Sequence, residues 1–182
     1  MTAPLVHVRL VPRETVHEAL VALAVQHGAP SSAHLTHACP SCGSSEHGRP
    51  VLHGDGALPH VSLSHARGTG MSLITVCCEA PVGVDVEPSS RRDEVASAAE
   101  VALHRNEHPS SPDEMLRLWV RKEALLKAHG TGLATDPRCV HLDTSGHILE
   151  GPAGAIVDLT LGPDWCAAVA VLGPTPEMFV SY

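Results

Sequence analysis

An α+β fold, with helices packed on mostly antiparallel sheets, is what this chain predicts, and three observations carry that expectation. Strand-like runs outnumber helical ones and do not alternate strictly with them, as a parallel βαβ fold would require. The hydrophobic fraction is 43% but aromatics are only 2%, so the core is built from Val, Leu, Ala and Ile. One stretch near the middle carries start and stop signals for a long helix at both of its ends.

In chain order, LVHVRLV (5–11) alternates apolar and polar residues as a half-buried strand does. ETVHEALVALAVQHG (14–28) has helical spacing and stops at Gly28. ACPSCGSSEHGRP (38–50) reads as loop by composition. Short strands are expected at 60–64 and 71–78, then at VGVDVE (82–87) between Pro81 and Pro88. DEVASAAEVALHRNE (93–107) reads as a helix, and RCVHLD, AIVDLTL and CAAVAVL as closing strands. The 182 residues suit one domain or two small lobes sharing an interface.

The helix after Ser111 is the most fully specified element. Ser111 can cap it, Pro112 fits the first helical position and Glu114 completes a capping box. Gly130 and Gly132 supply the stop. Asp113 and Glu114 sit at its positive end and Lys127 near its negative end, as the helix dipole favours. Leu118, Lys122 and Leu126 share one row, and Leu116, Trp119, Glu123 and Lys127 the next, so charge interrupts an apolar stripe. Trp119 reads as a packing anchor.

A formal charge of -8 leaves no basic footprint for nucleic acid, and the few aromatics give no stacking platform. The N-terminal stretch lacks an apolar segment of signal-peptide length, and no transmembrane run follows. Six cysteines in such a chain read as reduced thiols, and a cytoplasmic location is expected. Cys77 and Cys78 read as core thiols.

Of the 12 basic residues only Lys122 and Lys127 are lysines. The bland reading is a Glu–Lys surface pair one helical turn apart, worth roughly half a kcal/mol. Yet arginine keeps its proton, whereas lysine can give one away, so confining lysine to one helix points to that second behaviour. Upstream, Asp85 and Glu87 lie two apart on a strand and leave the same face. With Glu123 they would offer three oxygen donors, a set suited to Mg2+. A metal between carboxylates with a lysine beside it is a layout for phosphoryl-type transfer. A solvent-facing strand edge remains the alternative.

GVDVE followed by WVRKEALLKAHGTGL resembles the paired signature of the 4'-phosphopantetheinyl transferases of the Sfp-like kind, with Asp85 and Glu123 separated by 38 residues. GRP (48–50) and SLSH (62–65) resemble two further family elements in the family's order. The resemblance spans roughly residues 38 to 172. It implies a pseudo-twofold pair of lobes, here 1–82 and 83–182, with coenzyme A between them. It implies Mg2+-dependent transfer of the 4'-phosphopantetheine arm of coenzyme A to a serine of an acyl or peptidyl carrier protein, with release of 3',5'-ADP. Asp85, Glu87 and Glu123 would hold the metal, and Glu123 or a metal-bound water would take the serine proton. Lys127 would steady the pyrophosphate and protonate the leaving group, and Lys122 would orient phosphate. Ser64 and His65 would contact phosphates, while Arg49 and Pro50 would line the adenine end. A monomer is implied.

The chain departs from the family in a short first lobe that offers only Arg9 and Arg13 in residues 1 to 37, and in Ala66 where a serine is frequent. A coenzyme-binding or regulatory relative without transferase activity is therefore the alternative. Arg91, Arg92, Arg117 and Arg121 are candidate contacts for an acidic carrier helix. His37, Cys39, Cys42 and His47 raise a third possibility, a zinc-stabilised module, but only one Cys-x2-Cys is present. An inert loop is the preferred reading.

Overall fold

In the computed structural model, residues 3–38, 43–44 and 48–181 are described. Strand β1 (Leu5–Pro12) leads through a 3-10 turn into helix α1 (Val16–Gln26). Strands β2 (His34–Ala38), β3 (Arg49–His53), β4 (His60–Ala66), β5 (Met71–Cys77) and β6 (Val82–Pro88) follow. Then come α2 (Arg92–Ser97), the long α3 (Pro112–His129), and β7 (His141–Leu142), β8 (Ile148–Glu150), β9 (Ala155–Asp158), β10 (Trp165–Val171) and β11 (Glu177–Ser181). The architecture is α+β. One sheet runs β11-β1-β5-β4, a second β6-β10-β9, and β2-β3 and β7-β8 are hairpins. β1 and β11 pair in parallel, and the other ladders are antiparallel.

Side-chain alternation sorts the strands into layers. Val6 and Val8 of β1 and Leu73 of β5 meet Val84 and Val86 of β6 and Val169 and Val171 of β10, so the inner faces of the two sheets share one aliphatic core. Ile74 and Val76 point the other way, onto Leu20 and Leu23 of α1. Ala168 and Ala170 of β10 likewise turn outwards onto Leu125 and Leu126 of α3. Small residues on that strand face let the helix lie close.

Several local expectations need correction. The helix expected over 93–107 is α2 plus a 3-10 turn at Ala99–Val101, after which the chain leaves helical geometry. Its backbone groups are used elsewhere: Ala102 O accepts from Lys122, and the His104 N–H donates to Glu107. RCVHLD is a 3-10 turn at Pro137–Cys139 and a two-residue strand. The hairpin β2-β3 flanks the expected loop, and β11 joins a sheet edge without a strong alternation in its sequence. Cys77 is buried, but Cys78 lies just past the end of β5, exposed, with its thiol on His27 O.

α3 begins and ends on local chemistry. The Glu114 N–H donates to Ser111 Oγ at 3.2 Å, and the Glu114 carboxylate reaches back to the Ser110 N–H. Gly130 takes the left-handed conformation (φ 89°) and returns its N–H to Leu126 O and Lys127 O. Trp119 packs with Leu103 and Cys166 beside the helix.

Candidate active site

Gly83 fixes how β6 meets α3. A Cβ at Gly83 would lie 2.1 Å from Ala124 O and 2.3 Å from Ala128 N, so only glycine lets strand and helix touch here. Residues 83, 85 and 87 leave the same strand face. The contact that forces glycine at 83 therefore also aims Asp85 and Glu87 along α3, while Val82, Val84 and Val86 fill the inter-sheet core.

On that face Lys127 Nζ donates to Asp85 Oδ1 at 2.6 Å and to Val84 O at 3.2 Å, and stands 4.0 Å from Glu123. Ser64 Oγ, from the neighbouring strand β4, donates to the same Asp85 oxygen at 2.6 Å. Ser62, two residues earlier, accepts the Val84 N–H. These two serines therefore tie β4 to β6 along a seam where the two sheets adjoin. Glu87 pairs with Arg91 at 2.5 Å, and Arg91 is held in turn by Glu94.

The three acids are largely withdrawn from water, with side chains 6% (Asp85), 12% (Glu87) and 12% (Glu123) exposed. Burial and the Asp85 charge push the Glu123 carboxyl up to about 7, against the pull of Lys127. Burial also raises Glu87, against its hydrogen bond from Arg91, and Asp85 adds to the rise. Burial opposes the Lys127 charge, but Asp85 and Glu123 outweigh it and hold the ammonium above its ordinary range. The acids thus form one electrostatic cluster, with Lys127 on Asp85 and Arg91 on Glu87.

Two buried oxygens of this cluster, Asp85 Oδ2 and Glu87 Oε2, have no hydrogen-bond partner among the described residues. Leaving such groups unpaired is costly, and a hard cation would satisfy them once the carboxylates drew in around it. The donor set, carboxylates only, fits Mg2+.

The cluster opens into a cleft of about 420 Å³ lined by Arg49, Pro50, Ser62, Glu123, Lys127 and the Gly130–Ala134 turn. Arg49 Nη1 would lie 2.7 Å from a Cβ on Gly130, so the helix stop and the arginine form one wall. His65 shares its Nδ1 with Ser72 Oγ at 2.8 Å. Burial lowers its pKa, and the nearby charges of Arg13, His17 and Lys127 lower it further.

Not every residue anticipated here reaches the cleft. Lys122 is 1% exposed and points to the opposite side of α3, donating to Glu107 at 2.5 Å and to Ala102 O and Pro137 O. It has no free direction for a phosphate, because three acceptors already surround the ammonium. Arg121 is equally committed, bidentate to Asp158 at 2.9 and 2.7 Å and bonded to Thr144 O. Arg91 is committed to Glu87 and Glu94, whereas Arg92 and Arg117 are exposed. Cys39, Cys42 and His47 lie outside the described residues. Glu107 went unrecognised because its segment read as helix. Gly83 was legible in principle, being the residue of GVDVE that shares a face with both acids.

A buried acid–lysine cluster beside a cleft, built on a strand and a long helix, is an arrangement that can stabilise an anionic group in transfer. Residues 81–169, 89 of the 182, match the family model of the 4'-phosphopantetheinyl transferase superfamily, a match that supports transferase chemistry. No curated protein matches the chain. Among the described residues no helix is long and apolar enough to cross a membrane.

Proposed function

We propose that the protein is a holo-carrier-protein synthase of the Sfp-like type, moving the 4'-phosphopantetheine arm of coenzyme A to a serine hydroxyl of an acyl or peptidyl carrier protein and releasing 3',5'-ADP. The observation that carries this reading is the pair of buried, unpartnered oxygens on Asp85 and Glu87, with Asp85 bonded to Lys127, which lines a cleft together with Glu123. Asp85, Glu87 and one oxygen of Glu123 would hold Mg2+, which supplies charge neutralisation at the pyrophosphate when bound.

The chain's own groups do the remaining work. Glu123 through its second oxygen, or a water beside it, suits acceptance of the serine proton. Lys127 keeps its proton until charge builds on the departing phosphate oxygen, then stabilises or protonates it. Ser64 holds Asp85 in place. Arg49 and Pro50 line the wall where the nucleotide would lie. His65, kept neutral by burial and by the charges around it, can offer a hydrogen bond to phosphate, and Arg13 beside it the positive charge, in place of a basic first helix. Exposed Arg92 and Arg117 remain the candidates for an acidic carrier surface.

The test is incubation with coenzyme A, Mg2+ and several apo carrier proteins, each then weighed by mass spectrometry. A carrier gaining one phosphopantetheine supports the proposal. Coenzyme A binding by calorimetry with no carrier ever modified replaces it with the binding-only reading.

A further inference from the structure

A second cluster of ligating side chains lies away from the acidic site and plays no part in the chemistry above. Strand register sets His141 of β7 directly opposite Glu150 of β8. His104, from the segment after α2, stacks its ring on His141 with centroids 4.5 Å apart. His104 Nε2 lies 3.9 Å from one Glu150 oxygen and His141 Nδ1 lies 3.8 Å from the other. One ligand atom from each residue falls within 4.8 Å of the rest.

We infer that His104, His141 and Glu150 form a site for a divalent transition metal of the Zn2+ class, distinct from the Mg2+ cluster. The donor chemistry separates the two: imidazole nitrogens suit zinc and its neighbours, whereas an all-carboxylate set suits Mg2+. Three protein ligands leave a fourth position for water, the arrangement of an open tetrahedral site.

The cluster is partly built. His104 is 7% exposed, and its backbone N–H is fixed by Glu107 at 2.8 Å. His104 Nδ1 accepts the Asn106 N–H at 3.3 Å, which turns Nε2 towards Glu150. In the neutral ring that bond leaves the proton on Nε2. Loading a metal moves the proton to Nδ1 and gives up the Asn106 bond, a small loss at that length. Bond lengths of about 2.0–2.1 Å require the ligands to draw in, and Glu150, its side chain 57% exposed, is free to do so. An ion held there would fasten the segment after α2 to the β7-β8 hairpin, across the same gap that Glu107 bridges by accepting the His104 and Leu142 N–H groups.

The experiment uses tag-free, EDTA-stripped protein in excess Mg2+, which fills the acidic cluster. ZnCl2 is titrated calorimetrically, and thermal unfolding is followed with and without Zn2+. The wild type is expected to bind one Zn2+ and unfold at a higher temperature with it. Glu150→Gln and His141→Gln should each weaken binding at least about tenfold and abolish the thermal shift. Glu150 is exposed, so its variant answers the question even if the histidine variant folds poorly. Zn2+ binding unchanged in Glu150→Gln, binding lost in Cys39→Ser/Cys42→Ser instead, or no binding in the wild type would each overturn the assignment.

Discussion

Lys122 and Lys127 lie on the same helix and each meets a buried carboxylate, but the two pairs end in opposite states. Lys122 donates to Glu107, Ala102 O and Pro137 O, and Glu107 in turn receives the His104 and Leu142 N–H groups. Every polar direction of that pair is used. Lys127 shares Asp85 Oδ1 with Ser64, remains 24% exposed, and leaves Asp85 Oδ2 without a partner. The closed pair is a structural tie between α3 and two non-helical segments. The open pair is short of ligands in one direction, and its lysine lines the cleft. A lysine beside a buried carboxylate is thus no sign of function until its hydrogen bonds have been counted.

The comparison breaks most readily at the open pair. Asp85→Asn and Glu123→Gln should each lower phosphopantetheine transfer by about 10³-fold or more, as loss of electrostatic stabilisation does, with little change in melting temperature. Steady-state transfer assays and thermal denaturation check this together. If either variant unfolds instead, the open pair is structural and the contrast fails. At the closed pair the expectation reverses. Lys122→Met strands a buried Glu107 charge and should cost about 3–5 kcal/mol of stability by urea titration. Lys122→Met/Glu107→Gln should recover part of it, and coenzyme A affinity should be unchanged in whatever fraction stays folded.

This contrast also marks what could be read from the chain alone. The caps of α3, the strand GVDVE and the alternation that sets Asp85 and Glu87 on one face are local properties, encoded within a few residues. The distinction between Lys122 and Lys127 is not local. It depends on Glu107, whose segment has helical composition but is drawn out of the helix by the bonds it makes to Lys122 and Leu142. Short β8 and the edge strand β11 were illegible for a related reason, because tertiary pairing rather than pattern holds them. His104 and His141 come together in the same way, through a loop and a hairpin whose approach no spacing in the sequence records.

A pH titration sharpens the electrostatic side of the comparison. Glu123 titrates near 7 in the folded chain against an ordinary value of 4.5, so the folded state holds this proton more tightly than the unfolded state does. The contribution of Glu123 to the stability of metal-free protein is therefore fullest below about 4.5, falls as pH rises towards 7, and levels off above it. The drop is of the order of 3 kcal/mol at most, from about 1.4 kcal/mol per unit. Unfolding in EDTA across this range should show the slope in wild type and lose it in Glu123→Gln. Parallel pH profiles for wild type and Glu123→Gln would mean that the Glu123 carboxyl is not raised by burial and Asp85.

The mildest change tests the geometry that opens one pair and not the other. Gly83→Ala places a methyl 2.1 Å from Ala124 O, so α3 and β6 must separate near Lys127. Overpacking of this kind costs about 1–3 kcal/mol. The shift lengthens the 2.6 Å bond from Lys127 to Asp85 but leaves the Lys122–Glu107 pair, on the far side of the helix, in place. Transfer should fall by more than the fraction unfolded explains, and the remaining loss should appear in kcat rather than in KM for coenzyme A. Equal loss of both would mean that the strand–helix contact shapes the cleft as a whole rather than positioning Lys127 on Asp85.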